Sequence, residues 1–414
     1  MAEPPRGARH PFAGRRILLG VTGGIAAYKS IQLARDLAAS GARVDVVLST
    51  GALEFVKPLS FEALTGRQSY SDLFASGEAL THIRLAREAD VLVVAPATAN
   101  FMARAAAGMA DDLLTAVLLA TRAPVLICPA MNDRMFAHSV THDNLNRLVD
   151  AGYRIVGPEA GPLAWGEGEG LGRMTEPATI MAHVGRALEG TTAFTGRRIM
   201  VTAGPTREAI DPVRFIGNRS SGRMGYALAE VAWRRGAEVV LISGPSSLPP
   251  PPGVELRRVE TAEDLRKAVA AALPDTDVLL MAAAVADFRP IARSESKLKR
   301  NVGSSVSELR LEPAPDVLRS TRELRSDGCV IVGFALETDA HVENARGKLE
   351  DKGLDLIVLN DATEEGAGFD VETNRVTILD PVGGEQKLPL LPKKDVAEAV
   401  LDRVAPLLTL QIDE

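Results

Sequence analysis

This 414-residue chain has few cysteines, no long apolar run and only a modest net charge. Cys128 and Cys329 are the only cysteines, too few and too far apart for a disulfide framework or a cysteine-rich metal site. Apolar runs such as Val91–Pro96 end well short of the roughly 20 residues of a membrane helix. The net charge of -7, without a long basic run, argues against nucleic acid as a partner. Residues 1–13 lack the apolar core of a signal peptide, so we expect a disordered lead and a cytoplasmic protein.

The tetrapeptide Gly-Arg-Arg-Ile occurs twice, at Gly14 and at Gly196, each time at the start of a short apolar run. The length suggests two or three domains, and the repeat indicates where two of them begin. We predict domains at residues 14–189 and 196–414, joined by a linker at 190–195. Apolar runs alternate with helical patterns in both halves, which predicts an α/β fold of two doubly wound, Rossmann-like domains with parallel sheets.

In the first half, small and polar residues collect where the predicted strands end. The strands are predicted at Ile17–Gly20, Arg43–Leu48, Asp90–Ala95 and Pro124–Cys128. The residues after them are Thr22, Gly24, Ser49, Ala97, Thr98, Asn100, Met131 and Asn132. Open α/β sheets bind ligands at this edge. Turn residues follow the strands of any α/β protein, so an edge without a ligand remains the alternative.

The stretch Gly196–Gly225 organises the second half. An apolar run, Ile199–Val201, predicts a buried parallel strand that ends at a glycine turn. Ser220, Ser221 and Gly222 then begin a helical pattern, where free N–H groups and the helix dipole favour an anion. These features indicate a nucleotide site, and an ordinary strand–turn–helix is the alternative.

Two further segments carry candidate functions. Five glycines between Gly161 and Gly172 predict a mobile loop that could act as a lid. Lys348 and Lys352 are spaced to share one face of a predicted helix, Ala340–Lys352. Lys297 lies in a basic stretch that by itself would suit a solvated loop.

These motifs resemble one family over the whole chain. The matching segments are GVTGGIAAYK, THIRLA, APATAN, GMADDLL, PAMN, VTAGPTREAIDPVRFIGNRSSGRMG, AAAVADF, SKLK, GFALET and KLEDK. They occur in the order found in bifunctional phosphopantothenoylcysteine decarboxylase / phosphopantothenate–cysteine ligases of coenzyme A biosynthesis. The resemblance implies a flavodoxin-like flavoprotein followed by a ligase domain.

By this resemblance the first domain binds FMN. Thr22 and Gly24 would lie near its phosphate, Ser49 at the second strand, and Ala97–Asn100 along the ring. His82 would be the active-site histidine, although considered alone it would more often be structural. Asn132 would orient the substrate carboxylate, flanked by Met131. The family oxidises the substrate thiol to a thioaldehyde, loses carbon dioxide and then reduces the enethiolate.

The sequence departs from the family at the lid, where Trp165 takes the place of a cysteine. An indole N–H is no practical acid at neutral pH. Three alternatives remain open: Cys128 substitutes, Glu167 or Glu169 donates the proton, or the domain is only oxidative. A buried strand thiol is the ordinary interpretation of Cys128. We expect net decarboxylation.

By the same resemblance the second domain activates 4′-phosphopantothenate with CTP and Mg²⁺, and L-cysteine then displaces CMP from the acyl-cytidylate. Asn218 would be needed for that second step. The implied substrate-binding residues are Arg214, Ser220, Ser221, Gly222, Arg223, Asp287, Lys297, Pro315, Asp316, Val317, Phe334, Lys348 and Lys352. Ala314 stands where an asparagine is common. The metal ligands stay unassigned.

Other functions remain possible from the sequence. Relatives of the flavoprotein fold regulate phosphatases, so a binding protein is one alternative. A dehydrogenase is another, but neither glycine turn is a full G-x-G-x-x-G with an acidic residue closing the next strand. The resemblance also implies a homo-oligomer: flavin-domain trimers with FMN at subunit boundaries, ligase-domain dimers and hence a dodecamer.

Overall fold

A computed structural model describes residues 11–75, 80–298, 308–337, 341–361 and 371–409. Most of the predicted disordered lead, residues 1–10, lies outside this part of the chain, as do Lys299 and Arg300 of the basic stretch. The chain divides into two units, residues 10–190 and 191–414.

The first unit is built on a six-stranded parallel sheet in the order β3-β2-β1-β4-β5-β6, as predicted for a doubly wound fold. Its strands are β1 Arg16–Val21, β2 Arg43–Leu48, β3 Ser69–Tyr70, β4 Val91–Ala97, β5 Val125–Pro129, β6 Arg154–Ile155, β7 Glu159–Pro162 and β8 Glu169–Arg173. Its helices are α1 Ala27–Ala39, α2 Pro58–Thr65, α3 Thr81–Glu88, α4 Ala99–Ala106, α5 Leu113–Ala120, α6 Asp133–Ala137, α7 Ser139–Asp150 and α8 Pro177–Glu189.

Helices cover both faces of this sheet because its strands are apolar on both sides. Ile17 and Leu19 pack into one core layer, and Leu18 packs into the other. Each such side chain contributes about 1.5–3 kcal/mol when fully buried. Continuous apolar runs of this kind are typical of buried parallel strands, which is why the sequence locates them well.

The predicted lid loop is instead an antiparallel hairpin, β7 paired with β8. The sequence does not predict these strands, because the glycine-rich segment lacks the alternation of apolar and polar residues that indicates a strand. Trp165 lies at the hairpin tip with its side chain fully exposed.

The second unit has an eight-stranded sheet in the order β13-β12-β9-β14-β17-β18-β20-β21. Its strands are β9 Arg198–Ala203, β10 Arg207–Ala209, β11 Phe215–Gly217, β12 Glu238–Ser243, β13 Glu255–Arg258, β14 Val278–Met281, β15 Phe288–Pro290, β16 Leu311–Pro313, β17 Val330–Glu337, β18 Leu356–Asp361, β19 Thr373–Asn374, β20 Val376–Leu379, β21 Glu385–Lys387 and β22 Leu391–Pro392. Its helices are α9 Arg223–Arg234, α10 Ala262–Ala272, α11 Val317–Ser320, α12 His341–Lys352 and α13 Lys393–Thr409. The first six strands in this order, β13-β12-β9-β14-β17-β18, are parallel, and β20 and β21 add an antiparallel edge.

The last helix of the second unit is anchored by buried charges. Arg234 at the end of α9 and Arg235, its C-cap, both pair with Glu398 of α13, and Arg235 Nη1 also lies 2.8 Å from Asp402 Oδ1. Trp233, the residue before Arg234, is also buried. A buried carboxylate between two guanidinium groups is compensated, so α13 is held by specific pairs as well as by apolar contacts.

Candidate active sites

The first unit has a cavity of about 690 Å³ at the carboxyl edge of its sheet, which we call the first cavity. It is lined by the predicted residues Thr22, Gly24, Ser49, Thr98, Asn100, Met131 and Asn132. Ala97 does not line it, because this residue is fully buried in β4. Seven of the eight residues at the strand ends are therefore brought together.

One wall of the first cavity suits an anion. Helix α1 begins there without a side-chain cap, so the positive end of its dipole favours an anion, although Ala27 N and Lys29 N already donate to Gly24 O and Ala26 O. The turn before it is fixed by Thr22, whose Oγ1 donates to Pro96 O at 2.8 Å and accepts from Thr98 N at 3.0 Å. A Cβ on Gly23 would lie 2.6 Å from the Gly51 carbonyl carbon, so only glycine allows this approach. A phosphate fits this cradle, and the volume is within the roughly 300–1,000 Å³ of ligand sites.

The opposite wall joins the Asn132 turn to the hairpin. Asn132 caps α6, with its Oδ1 accepting from Arg134 N at 2.9 Å. The neighbouring Met131 N–H donates to Gly172 O at 3.0 Å. Gly172 is packed so closely that a Cβ there would lie 2.1 Å from Met131 O. The hairpin is thus docked on the turn that carries Asn132.

The residues proposed to replace the lid cysteine lie in different surroundings. Glu167 lines the first cavity, whereas neither Trp165 nor Glu169 does. Cys128 is fully buried in the core, and burial raises the pKa of its thiol far above the ordinary value. Of these residues, only Glu167 lines the cavity.

His82 lies in another pocket of the first unit, of about 570 Å³, together with Phe74, Leu119 and small apolar residues. Its Nδ1 is buried and has no hydrogen-bond partner in the described part of the chain. Within one chain, the structure does not bring His82 to the first cavity. Phe74 and Leu119 are exposed, so an apolar surface surrounds this histidine.

Four charged residues of the first cavity were not predicted from the sequence. They are Lys29, Arg104, Asp112 and Arg173. Arg104 pairs with Asp111, and its Nη1 lies 2.9 Å from Asp112 Oδ2. Lys29 and Asp112 occur inside the motifs GVTGGIAAYK and GMADDLL, whereas Arg104 lies four residues after APATAN and Arg173 lies in the glycine-rich segment.

The second unit has a cavity of about 470 Å³ at the carboxyl edge of its own sheet, the second cavity. Its lining includes the predicted residues Asn218, Ser220, Ser221, Gly222, Arg223, Asp287, Pro315, Asp316, Val317, Phe334, Lys348 and Lys352. Helix α9 begins here without a side-chain cap. Its N-cap Gly222 has φ 86°, and a Cβ there would lie 3.3 Å from Gly204 Cα, so the cradle again requires glycine.

Asn218 is held in a defined orientation in the second cavity. Its Nδ2 donates to Ala284 O at 3.1 Å and to Val285 O at 3.0 Å. Both amide hydrogens are therefore committed to the backbone. No described residue donates to the amide oxygen, which is left to accept a hydrogen bond from a ligand.

Arg214 and Lys297 do not line the second cavity. Arg214 pairs with the buried Asp211, and its Nη2 donates to Leu298 O at 2.8 Å. The guanidinium holds the pKa of Asp211 well below its usual range. Lys297 precedes Leu298 and is exposed. The structure places neither residue at the cavity, since Asp211 binds Arg214 and Lys297 lies outside the lining, and their contact with substrate stays a prediction.

Asn360, Asn374 and Lys393 line the second cavity but were not predicted. Asn360 Nδ2 donates to Asn374 Oδ1 at 3.1 Å, and Lys393 donates to Val371 O. Asn360 lies near the end of β18, so the rule that ligands bind at strand ends could have found it.

No group of three or more His, Cys, Asp or Glu side chains that could hold a metal ion occurs among the described residues. Over the same ranges, none of the helices has the length and apolar character needed to cross a bilayer.

Comparison with known proteins shows similarity over nearly the whole chain. Residues 7–189 match the flavoprotein family, and residues 194–408 match the C-terminal domain of the DNA/pantothenate metabolism flavoproteins. The chain is 44% identical to the coenzyme A biosynthesis bifunctional protein CoaBC of Vibrio vulnificus over 399 residues, 96% of this chain and 99% of the relative. The Bacillus subtilis protein of that name is 44% identical over 95% of this chain and 97% of its own length. The Mycobacterium bovis protein is also 44% identical, over 96% and 98%.

A crystal structure of the C-terminal domain of such a bifunctional protein superposes with a TM-score of 0.45 at 41% identity. The superposition covers 54% of this chain and 100% of the other.

Proposed function

The chain belongs to the family of the coenzyme A biosynthesis bifunctional proteins, and we propose a division of work between its two cavities. The enzyme joins 4′-phosphopantothenate to cysteine and decarboxylates the resulting 4′-phosphopantothenoylcysteine to 4′-phosphopantetheine. Ligation belongs to the second cavity and decarboxylation to the first. The protein is cytoplasmic, and its substrates are small molecules.

One observation carries the ligase assignment. Asn218 shares the second cavity with two lysines and with the start of α9, which has no side-chain cap. Lys348, Lys352 and the start of α9 suit the triphosphate of CTP, since they compensate negative charge in a cavity of fixed dipoles. Asp287 and Asp316 supply carboxylates, and Mg²⁺ is commonly held by one or two carboxylates together with substrate phosphates. We assign Mg²⁺ to the bound nucleotide on that basis.

Asn218 acts in the second half of the ligase reaction. After the substrate carboxylate has displaced pyrophosphate from CTP, the amine of cysteine attacks the acyl carbon and CMP leaves. The fixed Asn218 Oδ1 accepts a hydrogen bond from that amine and orients its lone pair toward the acyl carbon. The first half needs no such acceptor.

The first cavity holds FMN. Thr22, Gly24 and the start of α1 would hold its phosphate, because the glycine turn leaves room for an anion there. When bound, FMN would supply the two-electron redox chemistry that the decarboxylation requires. The Asn132 side chain binds the substrate carboxylate, and Glu167 at the hairpin donates the proton that the carbon losing carbon dioxide takes up.

His82 completes the first cavity of a neighbouring copy. Its pocket opens among the exposed side chains of Phe74 and Leu119, and an exposed apolar patch of this kind is typical of an interface. A homo-oligomer with the flavin at the subunit boundary brings His82 and Asn132 into one site, and the family resemblance implies a dodecamer.

The test is a coupled assay on the purified full chain with FMN. CTP, Mg²⁺ and 4′-phosphopantothenate should release pyrophosphate, and added cysteine should give 4′-phosphopantetheine by mass. ATP in place of CTP is the matched control for the nucleotide. A chain that binds no flavin and releases no pyrophosphate with CTP would contradict the proposal.

A further inference from the structure

Lys29 is a buried cation at the edge of the first cavity. Its residue is 7% exposed, although lysine is rarely buried unless it is paired. It lies in the first turn of α1, the helix whose uncapped start faces the cavity, and its side chain lines that cavity. Its Nζ donates to Met174 O at 3.0 Å and to Glu176 Oε1 at 2.9 Å. Lysine is therefore required here by partners more than a hundred residues away in the chain.

Those partners form the root of the hairpin β7–β8. Met174 directly follows β8, and Glu176 also pairs with Arg173 at the end of that strand. Gly172, two residues before Met174, accepts a hydrogen bond at its carbonyl oxygen from Met131 N. The root is thus bound on two sides, by the Asn132 turn and by α1, while the tip carries Glu167 over the cavity.

We propose that Lys29 is a positioning residue that couples the anion-binding start of α1 to the position of the hairpin over the first cavity. The role of the occupant, FMN, rests on the proposed function, but the contacts of Lys29 do not. An anion that binds the first turn of α1 and a hairpin root that binds Lys29 are held by the same helical turn. A change at the anion-binding turn should therefore alter the position of the hairpin root, and a change at the root should alter the turn.

Removing the ammonium should loosen the hairpin without touching its tip. Lys29→Met keeps the length and the apolar stem, but it leaves the buried Met174 carbonyl without its donor. The Lys29 ammonium, with Arg173, also holds the pKa of Glu176 below its ordinary value, so the loss of Lys29 moves this pKa upward and leaves the carboxylate with Arg173. A buried acceptor without a partner is costly, and the root should open more often.

Hydrogen–deuterium exchange on the full chain measures this opening directly. In Lys29→Met we expect the amides of residues 159–173 to exchange about ten-fold faster, with β5 unchanged. Lys29→Arg keeps a donor and should recover part of the protection. Lys57→Met is the matched control: Lys57 Nζ donates to Leu53 O at 2.8 Å at an exposed position outside the cavity. It should leave the hairpin unchanged.

A second arm tests the coupling. Bound FMN should slow exchange in the hairpin of the wild type and of Lys57→Met, but much less in Lys29→Met. Equal slowing in Lys29→Met, or unchanged hairpin exchange without FMN, overturns the proposal. If the wild type binds no FMN, the proposed function fails while the first arm still decides the role of Lys29. If Lys29→Met exchanges faster throughout the sheet, Glu176→Gln takes its place, and it should accelerate the hairpin alone.

Discussion

Lys352 Nζ lies 3.2 Å from Asp316 Oδ2 in the second cavity, so the end of α12 is paired with the N-cap of α11. Both side chains are partly exposed, and such pairs contribute little to stability. The lysine can therefore turn to a phosphate at low cost, while Asp316 keeps its capping bond from Arg319 N.

Replacing Lys352 should weaken nucleotide binding. In Lys352→Met the cation is lost and Asp316 faces the triphosphate alone, so we expect the KM for CTP to rise about ten-fold or more with a smaller change in kcat. Lys352→Arg should recover part of the loss. Lys394→Met is the control, since Lys394 pairs with Glu230 and does not line the cavity. Equal KM values for Lys352→Met and the control would refute the role of Lys352.

Removing the Asn218 side chain should separate the two halves of ligation. Asn218→Ala loses the oxygen that orients the attacking amine, so pyrophosphate release from CTP and 4′-phosphopantothenate should continue while amide formation falls by about a hundred-fold or more. Pyrophosphate release is the internal control for folding and nucleotide binding. Normal amide formation in the variant would show that Asn218 has another role.

Glu167 should matter for the reductive half of decarboxylation, and Glu169 should not. In Glu167→Gln the proton donor is lost, so a product two mass units lighter than 4′-phosphopantetheine should accumulate, with the overall rate reduced about 10²–10⁴-fold. Glu169→Gln is a matched control two residues away on the same hairpin. Equal product patterns in the two variants would place the donor elsewhere.

A site shared between copies should allow complementation. His82→Asn and Asn132→Asp should each abolish decarboxylation alone, and the aspartate preserves the cap of α6. Co-expression of the two variants should restore part of the activity, because some boundaries then combine one intact His82 with one intact Asn132. Ligation serves as the control and should persist throughout. A mixture as inactive as either parent would mean that each chain builds its own complete site.

The two thiols should make the protein sensitive to alkaline pH. Burial raises the pKa of Cys329 from 9.0 to about 12, and it raises that of Cys128 further. Both groups therefore favour folding below the unfolded value of 9.0, and this contribution is lost as pH rises toward 12. The urea midpoint of the wild type should fall more between pH ~8 and ~10.5 than that of a Cys128→Ala, Cys329→Ala variant. Parallel declines would contradict this prediction.

Much of the fold is determined by local signals in the sequence. Strand Arg43–Leu48 has the predicted bounds because its apolar run ends sharply at turns. Helix Ala262–Ala272 also begins at a local signal, since Thr261 and Asp264 form a capping box at its start. The hairpin β7–β8 was missed because glycine carries no apolar pattern, and because its contacts with Met131 and Lys29 are distant in sequence.

The candidate sites were predictable where strand ends and helix starts supply the groups. Residues such as Thr22 and Ser220 follow from that rule. The assignment of Arg214 to substrate came from its motif, which does not show that Asp211 binds it. Lys29 was missed because its partners lie far away in sequence, and no spacing rule links them.

The contrast between Trp165 at the hairpin tip and Trp233 within α9 gives each unit its own optical signal. They are the only two tryptophans of the chain. Indole emission in water is shifted to longer wavelength than emission from an apolar interior, so the two contributions separate within one spectrum. Quenching by a water-soluble agent such as iodide will follow the hairpin, whereas a red shift of the protected component will report unfolding around the carboxyl-terminal helix.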